Sequence, residues 1–482
     1  MSFKNLRGYI AKLEEWGEIK KISQEVDWNL ELGAIIRRAL DLRVPAPFFQ
    51  KIKGYPPGYR VLGAPVAPSS QPNRYFIRLA TALRMPPEYR APDIIEQYLA
   101  NKKKEWIRPC LVTSSPCKEH ILLDEEVDLF KFPAPIIHSG DGGRYLATWS
   151  AVVTKDPETG WTNWGNYRMM IHDRSTLGGV VSPNQHIGLH FQKYEAMNKP
   201  MEFAVALGTD PLIGIISGSI TAPVGVDESY LVGAFMGEPV EVIRCETVDL
   251  EVPAQAEIIL EGEVLPGERK EEGPFGEYSG YQTSSAPQPI FKVKTITYRT
   301  DPILPIVCAG VPVEDHICVA LTLAADILDA LREKGLPVTL AYIPPFSSLH
   351  RLVVSVKESR EDLAREVAEV AWSTQLGRAL CQIIVVNDDI DITDPGQLEW
   401  AIATRVHPER GIIKYRDRVF LPYWPFLSPE ERMNRQGFSV IFDGTWPAGW
   451  EKEGTCRKAS FDSLWPKDIQ HRVLENWDKY GY

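Results

Sequence analysis

The sequence predicts an α/β multidomain protein in which a strand-rich centre is flanked by two regions of mixed helices and strands. The chain has 482 residues, which is enough for two to four domains and a large core. Its middle part is a succession of short β-prone runs separated by turn residues. Its last third alternates strand and helix patterns, which is typical of an α/β domain.

Residues 1–110 are expected to form an N-terminal α/β domain of helices around short strands. The helical patterns lie at 4–16, 31–42 and 92–104. The apolar side chains of the first pattern share one face of a helix: Leu6, Tyr9, Ile10, Leu13 and Trp16. This amphipathic spacing predicts that the first helix packs against the rest of its domain.

Residues 111–315 are expected to form the strand-rich domain. Candidate strands lie at 147–154, 166–172, 202–207, 212–217, 239–246, 256–262, 291–298 and 304–309. A single helical pattern interrupts them, near 186–198. Such a run of short strands favours a closed or split β-barrel.

A connecting helix is predicted at 316–335, because a strong helical pattern over 317–334 is closed by Gly335 and Pro337. An α/β domain is expected to follow at 336–460. Its predicted strands and helices lie at 338–343, 351–357 and 382–387, and at 360–376 and 395–404, respectively.

The last segment, 461–482, is expected to be a tail with a short helix and several aromatic side chains. The aromatic residues are Trp465, Trp477, Tyr480 and Tyr482. Because so much apolar surface is too costly to leave in water, the tail predicts a homodimer or a larger homo-oligomer joined through the C-terminal region.

The composition argues against several classes of protein. A net charge of −11 disfavours a broad nucleic-acid surface, which would normally be basic. No run of about 18 apolar residues occurs, so we expect no membrane-spanning helix. The N-terminus shows no signal-peptide pattern and the seven cysteines are scattered, which predicts a cytoplasmic protein with reduced thiols.

The most informative segment is the loop Glu272-Gly-Pro-Phe-Gly-Glu277, which places two carboxylates five residues apart. A strand would put them on opposite faces, and a helix would put them about 140° apart. The intervening glycines and proline break both periodicities, so a turn would let the side chains converge. Converging carboxylates push their pKa values apart and can hold one proton near neutral pH. The alternative is a surface turn with two solvated glutamates.

Several other motifs occur with this loop in a fixed order. They include Asp141-Gly-Gly-Arg-Tyr145, Trp161-Thr-Asn163-Trp164-Gly-Asn166-Tyr167-Arg168, Gln185-His186 and Gly237-Glu238-Pro-Val. Together they resemble the UbiD-type decarboxylases over nearly the whole chain. The resemblance implies a split-barrel flavin-binding domain between N-terminal and C-terminal α/β domains. It also implies removal or addition of CO2 on aromatic or α,β-unsaturated acids, with prenylated FMN as the cofactor.

The resemblance also implies a metal site beside the cofactor phosphate. Asn163, His186 and Glu238 match the family's ligands for a divalent ion, usually Mn2+, with Mg2+ as the alternative. An amide oxygen, an imidazole and a carboxylate suit such an ion. A potassium ion is a further expectation. The competing interpretation of His186 is a zinc site that it shares with His190. The competing interpretation of Asn163 is a structural turn residue.

Three residues match the family's catalytic positions: Arg168, Glu272 and Glu277. By analogy, Arg168 orients the substrate carboxylate, Glu277 delivers the proton that replaces CO2, and Glu272 contacts Arg168. If 164–170 is a strand, Asn163 and Arg168 point to opposite faces of it. The competing interpretation of Arg168 is a surface residue on an edge strand.

Other cofactor contacts are expected at Trp164, Tyr167 and Gln185. A flavin prenyltransferase would be needed to supply the cofactor, and the small-molecule partners would be the acid and CO2. Trp446 is expected to cover the substrate, which would favour a flat ring. Two alternatives remain: a split-barrel flavin or nicotinamide oxidoreductase, and a non-catalytic subunit of a larger carboxylase.

Overall fold

The computed structural model describes residues 3–219, 221–375, 377–419, 424–434, 436–450 and 456–482. Its N-terminal helices are α1 (Leu6–Glu15), α2 (Glu31–Leu42), α3 (Ile77–Ala82) and α4 (Ala91–Lys102). The strands between them are β1 (Ile19–Ile22), β2 (Ala46–Phe49) and β3 (Arg60–Gly63). The predicted helices at 4–16, 31–42 and 92–104 are confirmed as α1, α2 and α4. Asn5 caps α1, since its side chain accepts a hydrogen bond from the Gly8 amide at 2.9 Å.

The N-terminal sheet is completed by a strand from much later in the chain. Its order is β1-β2-β3-β16, and β16 (Ile303–Ile306) runs parallel to β3. We had placed 304–309 among the barrel strands, and the pairing of β16 corrects that grouping. All four residues of β16 are buried, in a core shared by the N-terminal helices and the barrel.

The central sheet has nine strands and is open, with β6 at one edge and β8 at the other. Its members are β5 (His120–Leu123), β6 (Tyr145–Ala147), β7 (Ser150–Lys155), β8 (Thr162–Gly165), β9 (Met169–Ile171), β10 (Thr176–Gly179), β11 (Met201–Leu207), β14 (Ile258–Glu272) and β15 (Ala286–Tyr298). Their order is β6-β9-β10-β15-β14-β11-β7-β8, and β5 pairs with β15. The sheet forms a half-barrel, which confirms the predicted fold class.

Three helices lie against this sheet: α5 (His186–Ala196), α6 (Pro211–Ser219) and α7 (Glu228–Met236). The helix predicted near 186–198 is confirmed as α5, whereas the sequence analysis missed α6 and α7. The strand predicted at 212–217 is wrong, because that segment is α6. Its apolar residues are buried on every side, so the sequence shows no helical periodicity there. A small sheet nearby contains β4 (Cys110–Leu111), β12 (Glu241–Arg244) and β13 (Glu251–Pro253).

The helix predicted at 317–334 is confirmed as α8 (Ile317–Glu333), and each strand and helix predicted between 338 and 404 has a counterpart in the structure. Helix α8 packs against α4 and α6 on one side and against the C-terminal domain on the other. The C-terminal strands are β17 (Val338–Tyr342), β18 (Arg351–Val356), β19 (Gln382–Asn387), β20 (Ile412–Val419) and β21 (Gln436–Gly444). Their order is β17-β18-β19-β21-β20. The helices beside them are α9 (Leu363–Ser373), α10 (Pro395–Arg405) and α11 (Pro429–Asn434).

The tail consists of two short helices, α12 (Phe461–Leu464) and α13 (Lys467–Glu475). Its aromatic side chains lie exposed on this single chain: Trp465, Trp477, Tyr480 and Tyr482. Among the described residues, no helix has both the length and the apolar character needed to cross a bilayer.

A buried ion pair fixes the first strand to the helices of the N-terminal domain. The side chains of Glu18 and Arg78 are each 1% exposed, and Arg78 Nε donates to Glu18 Oε2 at 2.7 Å. The other two nitrogens of the Arg78 guanidinium, Nη1 and Nη2, donate to the carbonyl oxygens of Ala64 and Val44, respectively. Every part of the charge therefore has a partner, which is the condition for a buried ion pair to be tolerated.

Replacing Arg78 with Met should lower the free energy of unfolding by about 3–5 kcal/mol, because the Glu18 carboxylate would stay buried without its cation. The control is Arg38→Met, which removes an exposed pair with Asp41 at 3.6 Å and should cost less than about 1 kcal/mol. Urea unfolding followed by tryptophan fluorescence measures both variants. Equal losses would contradict this account of the Glu18–Arg78 pair.

Candidate active site

The loop after β14 brings the two predicted glutamates to one guanidinium. Arg168 Nε donates to Glu272 Oε1 at 3.0 Å, and its Nη2 donates to Glu272 Oε2 at 2.9 Å. Arg168 Nη1 contacts Glu277 Oε1 on the far side of the same loop. The structure therefore brings Arg168, Glu272 and Glu277 together, with the bidentate geometry that a guanidinium offers to a carboxylate.

Arg168 reaches the loop because its own backbone is not part of a long strand. β8 ends at Gly165 and β9 begins at Met169, so the residues between them form a connection at the sheet edge. The predicted strand over 166–172 is thus shorter than expected. The argument that Asn163 and Arg168 face opposite sides of one strand does not apply to this backbone.

The three groups form a half-buried charge network. The side chains of Arg168, Glu272 and Glu277 are 12%, 2% and 14% exposed, respectively. Burial alone would lower the pKa of Arg168, but its bonds to Glu272 and the charges of both glutamates raise that pKa. Two carboxylates share one cation, so the network can take up one proton and become neutral. Unlike our expectation, Arg168 pairs with Glu277 as well as with Glu272.

Tyr145 is a part of this network that sequence reasoning missed. Its hydroxyl donates to Glu272 Oε1 at 2.8 Å, and its ring packs on Phe275 with the centroids 4.3 Å apart. The guanidinium of Arg168 lies 4.8 Å from the centre of the same Phe275 ring. Burial, and then the charge of Glu272, raise the pKa of the Tyr145 hydroxyl, so it stays a hydrogen-bond donor.

The turn that begins at Asp141 holds the loop from the other side. Asp141 Oδ1 accepts from the Gly276 amide at 3.1 Å, and the Gly142 amide donates to Pro274 O at 2.8 Å. A Cβ atom at Gly142 would lie 2.0 Å from Gly273 O, so only glycine permits this approach. The sequence analysis included the Asp141-Gly-Gly-Arg-Tyr145 motif only because of its place in the order of motifs along the chain. The role of this motif depends on a contact with the loop, which no local sequence pattern reveals.

A second group of polar side chains lies where two helices begin. His186 is the first residue of α5, and Glu228 is the first residue of α7. His186 Nδ1 lies 3.1 Å from Glu228 Oε1, and Glu228 Oε2 accepts from the Trp164 amide at 2.7 Å. Asn163 precedes Trp164 on β8 and is 1% exposed. Asn163, His186 and Glu228 thus surround one buried place.

The structure does not bring the third predicted metal ligand, Glu238, to this buried place. Glu238 is exposed and follows the C-terminal end of α7, beside a surface cavity that Lys4 also lines. At 1.5 Å of rise per residue, the two ends of α7 are separated by about 12 Å. The structure thus places Glu228, and not Glu238, beside His186. The sequence analysis did not identify α7, and only that helix shows which glutamate its N-terminus presents.

The three side chains fit a divalent cation. Asn163 Nδ2 and His186 Nε2 are buried and make no hydrogen bond within the described part of the chain. Because His186 Nδ1 contacts Glu228 Oε1 at 3.1 Å, Nε2 is the imidazole nitrogen left to bind a cation. Within the described residues, no group of three or more His, Cys, Asp or Glu is arranged for a metal. Binding here would therefore depend on the Asn163 amide.

His190 has a different environment from the one a second zinc ligand would need. Its Nδ1 lies 3.0 Å from Thr154 Oγ1, and Trp161 packs edge-on against both His186 and His190. Burial lowers the pKa of His190 to about 4, which keeps its imidazole neutral. The contacts favour a packing role for His190.

The other predicted cofactor contacts lie around this place. Trp164 is buried and bonds through its amide to Glu228. Tyr167 is also buried, and its hydroxyl lies beside Asn163 and 3.5 Å from the Ile187 amide. Burial raises the pKa of Tyr167. Gln185 is half-buried at the N-cap of α5, so it borders the same place.

Comparison with known families assigns the chain. The 3-octaprenyl-4-hydroxybenzoate carboxy-lyase N-terminal, Rift-related and C-terminal domains match residues 10–98, 111–312 and 316–443, respectively. The chain belongs to the UbiD family. It is therefore a carboxy-lyase of the UbiD type.

Curated relatives in the UbiD family match almost end to end. The chain is 36% identical to the pyrrole-2-carboxylic acid decarboxylase of Pseudomonas aeruginosa, over 99% of this chain and 98% of that protein. It is 33% identical to ferulic acid decarboxylase 1 of Saccharomyces cerevisiae, with 99% and 98% covered. The family assignment thus applies to all the domains at once.

Solved structures of UbiD enzymes have the same fold. The vanillic acid decarboxylase of Sedimentibacter hydroxybenzoicus in its closed form superposes with a TM-score of 0.86 at 28% identity, over 98% of this chain and 99% of that one. The UbiD-class enzyme HmfF from Pelotomaculum thermopropionicum, in complex with FMN, gives a TM-score of 0.83 at 28% identity, with 95% and 97% covered.

Substituting Glu228 and Glu238 separately should distinguish the two glutamates. Glu228→Gln removes a charged ligand from the buried place and should weaken Mn2+ binding by at least about 10-fold. Glu238→Gln alters an exposed side chain and should leave binding unchanged. Calorimetric titration of the flavin-free protein with MnCl2 measures both affinities. Weaker binding in Glu238→Gln but not in Glu228→Gln would restore the original assignment.

Proposed function

We propose that this protein catalyses the reversible, non-oxidative decarboxylation of an aromatic, heteroaromatic or α,β-unsaturated carboxylic acid, using prenylated FMN. One observation carries the proposal: Arg168 binds two glutamates on a braced loop in a half-barrel of the UbiD family. Such a network can hold a carboxylate and deliver a proton at the same place. Decarboxylation requires both.

The proposed cofactor draws support from structural relatives. HmfF is described in complex with FMN, and an evolved dimeric form of it in complex with prFMN. Asn163, His186 and Glu228 would hold Mn2+ or Mg2+ and so neutralise the cofactor phosphate in a protein of net negative charge. When bound, the modified flavin would serve as an electron sink while the bond to CO2 breaks. A flavin prenyltransferase would supply it, and K+ remains a prediction from the family.

Arg168 has one donor left for a substrate. A guanidinium carries five N–H groups; the two glutamates take three of them, and Nη2 also donates to Thr283 Oγ1 at 3.5 Å, which leaves one N–H on Nη1. Glu277 is held through a single nitrogen, whereas Glu272 is held through two and by Tyr145 as well. An incoming carboxylate would therefore displace Glu277 rather than Glu272 from Arg168. Displacement would turn the Glu277 carboxyl group towards the reacting carbon.

The proton transfer in this proposal is made by Glu277. As CO2 leaves, the electron pair of the broken bond stays with the substrate, and the O–H bond of Glu277 breaks to protonate that carbon. Glu272 remains on Arg168 and keeps the guanidinium in place. The same groups would serve carboxylation at high CO2, with Glu277 accepting the proton.

The substrate class is proposed from the relatives and not from Trp446. The Trp446 ring packs on the Arg405 guanidinium at 4.9 Å, and its amide bonds to Asn387 Oδ1 at 2.8 Å. Trp446 therefore belongs to the packing of the C-terminal domain, and our argument that it covers a flat substrate loses its support. The curated relatives are named for pyrrole-2-carboxylic and ferulic acids, which are heteroaromatic and aromatic.

The two alternative functions explain less of the structure. A flavin or nicotinamide oxidoreductase transfers a hydride and gives the Arg168–Glu272–Glu277 network no role. A non-catalytic subunit would not need these buried ionisable groups, which are costly to maintain. The braced loop therefore favours the decarboxylase.

Replacing Glu277 with Gln should abolish turnover while the flavin is retained, because an amide keeps the shape but gives up no proton. The expected fall in kcat is at least about 100-fold. Glu271→Gln, which changes the exposed neighbouring carboxylate, is the matched control. Protein co-produced with a flavin prenyltransferase would be assayed with pyrrole-2-carboxylate and cinnamate. In D2O, wild-type product should carry deuterium at the former carboxyl carbon.

If holo Glu277→Gln turns over at nearly the wild-type rate, the proton comes from another group. If the flavin-loaded wild type decarboxylates none of a panel of aromatic, heteroaromatic and unsaturated acids, the proposed function itself fails.

The protein is proposed to be a homodimer or larger homo-oligomer joined through its tail. Trp465 and Trp477 are 50% and 46% exposed on the single chain. The double variant Trp465→Glu/Trp477→Glu should therefore dissociate into monomers, whereas Leu111→Glu, at an exposed apolar site outside the tail, should not. Light scattering at micromolar concentration measures the mass of each. A monomeric wild type would contradict the proposal.

A further inference from the structure

The first turn of α8 lies against the catalytic loop. His316 is the residue immediately before α8, and its ring lies 5.1 Å from the ring of Tyr278 at an interplanar angle of 31°. Tyr278 directly follows Glu277 in the loop. None of the roles described so far uses His316.

His316 is paired with a buried carboxylate. Its Nδ1 contacts Glu314 Oε1, and the Glu314 side chain is 0% exposed whereas that of His316 is 30% exposed. A carboxylate on Nδ1 fixes that proton and leaves Nε2 as the nitrogen that can gain or lose a proton. The exposed part of the ring gives such exchange a route to water.

The charges around His316 favour its protonated form. Burial alone would lower the pKa of His316, but Glu314 first, then Glu277 and Asp315, raise it. Asp315 accepts from the Val66 amide at 2.6 Å, and burial raises its pKa to about 7 despite the nearby charge of Arg78. These charges favour the imidazolium form of His316, whose ring lies next to the loop that carries Glu277.

The reaction needs a group of this kind. Glu277 loses one proton in every decarboxylation, and its contact with Arg168 stabilises the carboxylate that remains. We propose that His316, oriented by Glu314, returns a proton to Glu277 between turnovers. This inference rests on the proposed function, because His316 has this role only if Glu277 is the proton donor.

The transfer balances without any further reactant. The Nε2–H bond of His316 breaks and an O–H bond forms on Glu277, directly or through one water molecule. The neutral imidazole keeps its Nδ1 proton on Glu314 and recovers the Nε2 proton from solvent. Over one cycle, solvent supplies the proton that replaces CO2.

A second imidazole beside the loop, that of His138, is less suited to this role. His138 contacts Asp141 through Nδ1 at 3.2 Å and lies 3.6 Å from Cys308 Sγ through Nε2. Both of its nitrogens have partners, and its ring packs against Gly276 and Phe275. His138 thus braces the loop, whereas His316 has a nitrogen left for proton transfer.

The first test follows the charge coupling without any turnover. Flavin-free protein labelled with 13C at histidine Cε1 would be titrated by NMR, and the His316 signal assigned by its loss in His316→Gln. Removing the charge in Glu277→Gln should lower the pKa of His316 by at least about 0.5 unit. Glu271→Gln should leave it unchanged. An unchanged His316 pKa in Glu277→Gln overturns the inference.

The second test uses the flavin-loaded enzyme, with pyrrole-2-carboxylate or cinnamate as the assayed acid. His316→Gln should lower kcat at least about 10-fold with KM little changed, and added imidazole should restore part of the rate. His120→Gln is the control, because His120 also stacks on a tyrosine, Tyr298 at 4.8 Å, but lies far from the loop. A His316→Gln enzyme with wild-type kcat from pH 6 to 9 overturns the inference.

A third variant decides the matter if His316→Gln fails to bind flavin. Glu314→Gln keeps the imidazole but lowers its proton affinity, so the fall of kcat at alkaline pH should begin at lower pH than in the wild type. An unshifted profile overturns the inference. An inactive wild type would instead refute the proposed function, and the NMR titration would still show whether the two groups are coupled.

Discussion

The pairing of one guanidinium with two carboxylates is the interaction on which the site depends. Glu272 and Glu277 repel each other, and Arg168 allows both to lie in a largely buried place. Arg168 also ties the β8–β9 connection to the loop after β14, which are far apart in sequence. Tyr145 and Asp141 then hold the loop to the rest of the half-barrel. The surrounding fold fixes the position of these partners.

Three helices begin at polar groups of the candidate site: two at the Asn163–His186–Glu228 group and one beside the loop that carries Glu277. α5 starts at His186, α7 at Glu228 and α8 just after His316. The N-terminus of a helix carries partial positive charge and unpaired amides, which favour nearby anions. In a protein with a net charge of −11, these helix starts supply local positive potential. Under the proposed function, that potential would favour the cofactor phosphate and the substrate carboxylate.

The strand and helix patterns of the sequence predicted the fold class, and the motifs that resemble the UbiD family predicted the Arg168–Glu272–Glu277 group. Both signals can be read without knowledge of tertiary contacts. The predicted helix at 317–334 matches α8 closely. The wrong predictions have a common cause: each depends on long-range contacts that the sequence does not show. α6 is buried on all sides and so has no helical periodicity, and missing α7 led to Glu238 in place of Glu228. Tyr145, Asp141 and His316 are recognised only once the loop is seen beside them.

The return of the chain to the N-terminal sheet through β16 has a consequence for gene recombination. Three strands of that sheet come from the first hundred residues, and the fourth comes from the segment that follows the barrel. A chimera that takes its N-terminal domain from another homologue would have to match a foreign strand in register and packing. The C-terminal domain is joined to the rest chiefly along α8. A crossover at the end of that helix disrupts fewer contacts than a crossover after the N-terminal domain. Homologues of this architecture can therefore exchange their C-terminal domains more readily than their N-terminal domains.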